Sequence, residues 1–222
     1  MKHNIEVDNV IINNGKRDLY EQTFKKIEAT GKCELNLFNC NIIDLEVNVH
    51  DDSSLTINYY NIIDKLETKI NVNVNNKSSF TLNHSFVNNN KYNLEINTFF
   101  KKEEASIKVN INGINDKGVL SSLINGYVDN EKFNNTLDEN MRIINLNDGK
   151  VTCNPNMYIN ISKVIANHNT TIGGVRDDEL LYLMSKGIEK DAAISLICKG
   201  FLTRIITNND LREKIKELME GR

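Results

Sequence analysis

Asp52-Ser53-Ser54-Leu55-Thr56-Ile57-Asn58, Lys77-Ser78-Ser79-Phe80-Thr81-Leu82-Asn83 and Glu104-Ala105-Ser106-Ile107-Lys108-Val109-Asn110 are three versions of one pattern, a turn followed by apolar residues at every second position. Alternation at period two is the mark of a strand with one buried face. Ser53 and Ser78 are 25 positions apart, and Ser78 and Ala105 are 27 apart. A second alternating run precedes each copy: Leu45-Glu46-Val47-Asn48-Val49, Lys69-Ile70-Asn71-Val72-Asn73 and Leu94-Glu95-Ile96-Asn97. Two strands per repeat at this spacing predict a mainly β chain built as a β-solenoid, in which a coil buries its apolar face only against its neighbours. An antiparallel sandwich is the structural alternative, because period-two strands broken by turns suit it as well.

Working outward, the alternation loosens through Gly113, Gly118 and Gly126. It returns at Met141-Arg142-Ile143-Ile144-Asn145-Leu146 and Tyr158-Ile159-Asn160-Ile161, with Asp148-Gly149 as a turn between them. The many asparagines suit turn positions. From Asp177 the period becomes helical. Acids at Asp177, Asp178 and Glu179 open a first helix closed by Lys186-Gly187, a second spans 189–199 and stops at Gly200, and a third follows Asn208-Asn209 with Leu211, Ile215, Leu218 and Met219 on one stripe. An amphipathic stretch at 18–29 predicts a short helix near the N-terminus. The expected organisation is an N-terminal segment at 1–30, a β-solenoid core at 31–172 and a small helical domain at 173–222.

Composition narrows the function. Apolar residues make up 40% and charged residues 26% of the chain, and the net charge is only -3 with Lys and Arg dispersed. The basic footprint of a nucleic-acid binder is therefore missing. The N-terminus opens polar and reaches no apolar run suited to a signal peptide or a spanning helix, so the expectation is a cytosolic protein without a membrane partner. Gly173-Gly174 precedes a helix, where anions are attracted, yet three acids occupy that first turn. No phosphate-binding Gly-rich loop ending in Lys-Ser/Thr occurs, so no nucleotide is expected on this chain. Neither a serine nucleophile elbow nor a His-Glu-x-x-His helix is present. Cys33, Cys40, Cys153 and Cys198 form no Cys-x-x-Cys pair, and each reads first as a small buried hydrophobe.

The most specific stretch runs from Asp148-Gly149 through Pro155 to Val164-Ile165-Ala166-Asn167-His168-Asn169-Thr170-Thr171-Ile172-Gly173, then Asp177-Asp178-Glu179-Leu180-Leu181-Tyr182-Leu183-Met184-Ser185-Lys186-Gly187-Ile188. Pro155 stands 13 residues before His168. This resembles the signature of the SufB/SufD core family: a turn, a Pro thirteen before a His, a Thr-x-Gly step, and an acidic helix ending Tyr-Leu-x-Ser-Arg-Gly. The run from Asp191-Ala192-Ala193-Ile194 to Gly200-Phe201 resembles the family's next helix. The resemblance implies a right-handed parallel β-helix and a non-enzymatic role in the cytosol as a scaffold of SUF-type iron–sulfur cluster assembly. It also implies docking of the C-terminal helices onto a SufC-like ABC ATPase through Asp178, Glu179, Tyr182, Ser185, Lys186 and Gly187.

Two departures limit the transfer. Family members commonly carry a further N-terminal region, so the chain reads as a minimal form acting as a homodimer, or as a heterodimer with a related subunit. Ala166, Asn167 and Asn169 stand where relatives offer Cys or Glu around the His, which leaves His168 as the leading ligand for a transient iron–sulfur cluster. Cys153 is second. A cluster held by so few donors is expected to be shared across a subunit interface. The competing reading of His168 is a hydrogen-bonded residue that fixes entry into the first helix, and the competing function is a β-solenoid module that binds carbohydrate or protein.

Overall fold

The computed structural model describes residues 5–6, 9–129 and 134–220. The strands are β1 (Ile5–Glu6), β2 (Asn9–Tyr20), β3 (Gln22–Thr23), β4 (Lys26–Phe38), β5 (Asp44–Val49), β6 (Ser54–Val74), β7 (Ser79–Phe100), β8 (Ser106–Asp116), β9 (Val119–Val128), β10 (Asn135–Leu146), β11 (Lys150–Ile159) and β12 (Val164–Gly173). Three helices follow: α1 (Asp177–Ser185), α2 (Lys190–Thr203) and α3 (Asn209–Glu220). Every strand pairing among the described residues is parallel, which excludes the sandwich. The result is a β-solenoid of about five turns with helices at its C-terminal side.

Each coil contributes one strand to each of two walls. The first wall stacks the second halves of β2 and β4, the first halves of β6 and β7, then β8, β10 and β12. The second wall stacks the first halves of β2 and β4, then β5, the second halves of β6 and β7, β9 and β11. The 25- and 27-residue intervals of the sequence are the stacking register itself, since Ser54 pairs with Ser79 and Ser79 with Ser106. Asp52, Lys77, Glu104 and Asn134 occupy the same corner of successive coils, and all four have positive φ (53°, 52°, 55° and 59°). A non-glycine residue seldom adopts that conformation, and its recurrence at one rung shows that stacking fixes the corner more strongly than residue type does.

Inward columns are aliphatic and aromatic, as in Leu45, Ile70, Ile96 and Ile124. Outward columns hold asparagine. Asp18, Asn36, Asn58, Asn83 and Asn110 form one ladder whose side chains bond rung to rung at 2.8, 2.9, 3.0 and 2.9 Å. Asn71, Asn97, Asn125 and Asn156 form a second at 3.0, 2.8 and 3.0 Å. Asn is poorly suited to strands in general. In-register parallel stacking changes that, because each side-chain amide donates to the next and both polar ends are satisfied.

Helices α2 and α3 cover the outer face of the first wall, and α1 packs against α2. Cys198, Phe201, Leu202, Ile206, Leu211 and Ile215 pack on the outward column of Val87, Ile114 and Ile144 and on Tyr60 beside it. The last turn of α2 has carbonyls without helical partners, and the sheet supplies them: Ser85 Oγ donates to Leu202 O at 2.6 Å and Asn112 Nδ2 to Phe201 O at 2.7 Å. These anchors carry α2 past Gly200 to Thr203, so the expected stop at Gly200 is not observed. The predicted helix at 18–29 is likewise absent. Leu19, Ile27 and Ala29 are buried inward residues of β2 and β4, and Glu21 turns the chain between them with φ 50°. Strands of the solenoid sheet therefore begin at Asn9, ahead of the expected boundary at 31. The loose region after Gly113 is strand as well: a Cβ on Gly113 would stand 2.3 Å from the Phe86 ring, so the missing side chain is the room that ring fills.

Candidate functional site

The inward column through Leu35, Ile57, Leu82 and Val109 is aliphatic for four rungs and then changes character. Its next two members are Glu139 on β10 and His168 on β12. Leu35, Ile57, Leu82 and Val109 are at most 2% exposed. Glu139 is equally buried, at 2%, yet neither carboxylate oxygen has a hydrogen-bond partner among the described residues. Burial, with the charge of neighbouring Asp138 adding to it, pushes the Glu139 carboxyl up to about 7. The nearby cation is used elsewhere, since Lys108 pairs outward with Asp138 at 3.5 Å.

β12 pairs with β10 and with no other strand among the described residues. With no coil stacked beyond it, the inward positions of the last coil are uncovered, and His168 is exposed although its place in the alternation is inward. It lies in the middle of β12 and makes no side-chain hydrogen bond among the described residues. Cys153 occupies an inward position of β11 on the facing wall, over Ser122, which is itself buried, its hydroxyl without a hydrogen-bond partner among the described residues. Cys153 is half-buried against the core, and burial pushes its thiol up to about 11. It is therefore a thiol, not a thiolate, at neutral pH. The fold brings His168 and Cys153 to the same open end on opposite walls. No group of three potential metal donors forms within one chain among the described residues.

The remaining cysteines are buried in the fold. Cys33 and Cys40 are buried and donate to Ile12 O and Leu19 O of the preceding coil, and Cys198 lies in the interface between α2 and the first wall.

The six residues expected on a partner surface divide by what they do. Gly187 (φ 84°) ends α1: its N–H donates to Met184 O at 3.0 Å and that of Ile188 to Leu183 O at 3.3 Å, the pattern of a Schellman cap. Ser185 Oγ closes onto Tyr182 O at 2.7 Å. Those two residues shape the helix end. The Arg176 guanidinium bonds Asp178 and holds its carboxyl below the usual range. Glu179, Tyr182 and Lys186 are exposed, with Lys186 Nζ lying 5.5 Å from the Tyr182 ring centroid. None of the α1 side chains is buried, and Leu181, Tyr182 and Met184 are 65%, 62% and 41% exposed. Between α1, α2 and the end of the first wall lies a groove of about 890 Å³, with Arg142, Tyr182, Leu196, Phe201 and Arg204 in its lining.

A parallel β-solenoid with an uncovered, donor-bearing end and a helical layer on one wall defines the class of this protein. Comparison with known families is specific: residues 39–201 match the family described as SUF system FeS cluster assembly, SufBD core domain, and the chain belongs to that family. It is also similar to the iron-sulfur cluster assembly protein SufD of Bacillus subtilis (strain 168), with 28% identity over 106 residues. That match spans 46% of this chain and 24% of the relative. No helix among the described residues is long and apolar enough to cross a membrane.

The sequence pointed to His168 and Cys153 but missed Glu139. Its signal was the repeat spacing: 139 lies 30 positions after Val109 and 29 before His168, on the column that the 25- and 27-residue intervals define.

Proposed function

We propose that this chain is a non-enzymatic scaffold subunit of a SUF-type iron–sulfur assembly complex, building a transient cluster at the open end of its solenoid. The observation that carries the reading is the position of His168, a nitrogen donor exposed on the last strand of a SufBD core domain. The described residues of one chain bring together too few donors for a cluster, so a second copy or a related subunit supplies the rest. The edge of β12 suits such pairing: its backbone is free on one side among the described residues, and Ile165 and Ile172 are 64% and 46% exposed. An uncovered strand edge is a template for another chain. A cluster shared between subunits and held partly by His is weakly bound, which favours release to an acceptor protein.

The energy source is a SufC-like ABC ATPase in the cytosol, docked on the uncovered face of α1 around Leu181, Tyr182 and Met184. Anaerobic reconstitution with iron and sulfide tests the scaffold role. Charge-transfer absorption should appear with wild type and fall severalfold with His168→Ala, while Leu181→Asp should abolish capture of the ATPase and leave reconstitution intact. Unchanged cluster yield in folded His168→Ala would remove this His from the site.

A further inference from the structure

The Glu139 carboxylate is buried, and among the described residues it is hydrogen-bonded to nothing. An inward position of a parallel solenoid is among the driest places in the fold, and a buried carboxyl is retained there only with compensation. Among the described residues it has none, on either oxygen. The structure also makes room for it. The column of Val47, Val72 and Thr98 on the facing wall continues as Gly126, where a Cβ would stand 3.1 Å from Glu139 Oε1 and 2.3 Å from Leu137 Cδ2. Immediately above, on the next strand, His168 is the register partner of Glu139. Neighbouring strands lie about 4.8 Å apart, so stacked side chains on one face reach a common ion.

We propose that Glu139 and His168 are the inner and outer donors of a site for a divalent transition-metal ion, and that ferrous iron enters the scaffold here without sulfide. A carboxylate oxygen with an imidazole nitrogen suits ferrous, manganous, cobaltous or zinc ions, whereas magnesium and calcium prefer all-oxygen shells. Two protein donors leave the other coordination positions to water, to sulfide or to a facing subunit. Cys153 is not required. The choice of iron rests on the scaffold reading above; the site itself does not.

Metal-free full-length protein, handled anaerobically, is titrated with ferrous iron by equilibrium dialysis and with cobaltous ion by visible absorption. Wild type should bind either ion, with cobalt d–d bands appearing on saturation. Glu139→Gln keeps the shape of the side chain and should weaken both ions at least tenfold; His168→Ala should do the same, and Cys153→Ser should leave both isotherms unchanged. Circular dichroism and capture of the ATPase verify that the variants are folded. Absence of wild-type binding, or Glu139→Gln binding as tightly as wild type, overturns the proposal. If cluster reconstitution succeeds while Glu139→Gln binds metal normally, the scaffold reading stands and this site falls. If Glu139-dependent metal binding is found but no cluster forms, the site stands and the scaffold reading falls.

Discussion

The middle coils and the last coil share one backbone geometry and one register, yet the same column holds Leu82 at 1% exposure in one and an exposed His168 in the other. The difference is the neighbour. Inside the stack a coil lies on either side, and a polar inward side chain is costly unless it finds an internal partner. His84 meets that demand with Tyr92 Oη at 3.0 Å, Tyr59 O at 3.3 Å and a stacked Tyr59 ring. At the end of the stack solvent or another chain is the neighbour, and donor side chains become tolerable. In this solenoid the end is where chemistry can be placed without dismantling the core.

The largest expected contrast is along that column. Leu82→Ala removes buried methyl groups from a rung closed on both sides and should cost about 2–5 kcal/mol of unfolding free energy. His168→Ala should stay within about 0.5 kcal/mol, as exposed positions do. Denaturant midpoints measured for both variants check this. A cost for His168→Ala near that of Leu82→Ala would mean that the last coil is covered in the free protein.

A second contrast is in pH dependence. Glu139 sits high, at about 7 against an ordinary 4.5, so its stabilising contribution is complete below 4.5 and is lost as pH rises through 7. His84 is pushed by burial down to about 4 from 6.5, so its contribution is complete above 6.5 and is lost as pH falls through 4. Each is worth about 3 kcal/mol at full extent. Between pH 4.5 and 6.5 the two oppose, and wild-type stability should be nearly flat there. Glu139→Gln removes one side of the balance: its stability should climb from pH 4.5 to 6.5 and exceed wild type at pH 8 by up to about 3 kcal/mol. Thermal melts across this range decide it, and a wild-type advantage at pH 8 would show that the carboxylate has a partner in the folded protein.

The sequence made the middle of the solenoid legible because burial on one face writes itself as alternation. Leu55, Ile57, Phe80, Leu82, Ile107 and Val109 are that signal. It faded where glycine replaced an inward residue, at Gly113 and Gly126, since the volume there comes from Phe86 and Leu137 of neighbouring coils. The site was half legible for a related reason. His168 stood out through its family motif, whereas Glu139 lay in Leu137-Asp138-Glu139-Asn140, a run that reads as solvated surface until the register turns Glu139 inward. The asparagines were the least legible, because their partners are rungs about 20 to 30 residues away.

The smallest expected contrast concerns those ladders. Asn58 is fully buried beneath the helical layer: it donates to Asn36, accepts from Asn83, and its Oδ1 also accepts from Thr207 N and Oγ1 at 3.2 and 3.0 Å. Asn140 continues the same column toward the open end but bonds sideways to Asp138 at 3.0 Å and is half-buried. Asn58→Ala leaves several buried groups without partners, each costing about 1–3 kcal/mol when unsatisfied, although relaxation recovers part of the sum. The expected loss is about 2 kcal/mol for Asn58→Ala and under about 0.5 kcal/mol for Asn140→Ala. Because Thr207 lies between α2 and α3, Asn58→Ala should also speed amide exchange in the helices more than in β8. Equal losses at the two positions would mean that the ladder stabilises the stack by itself, with no contribution from the helical layer that covers it.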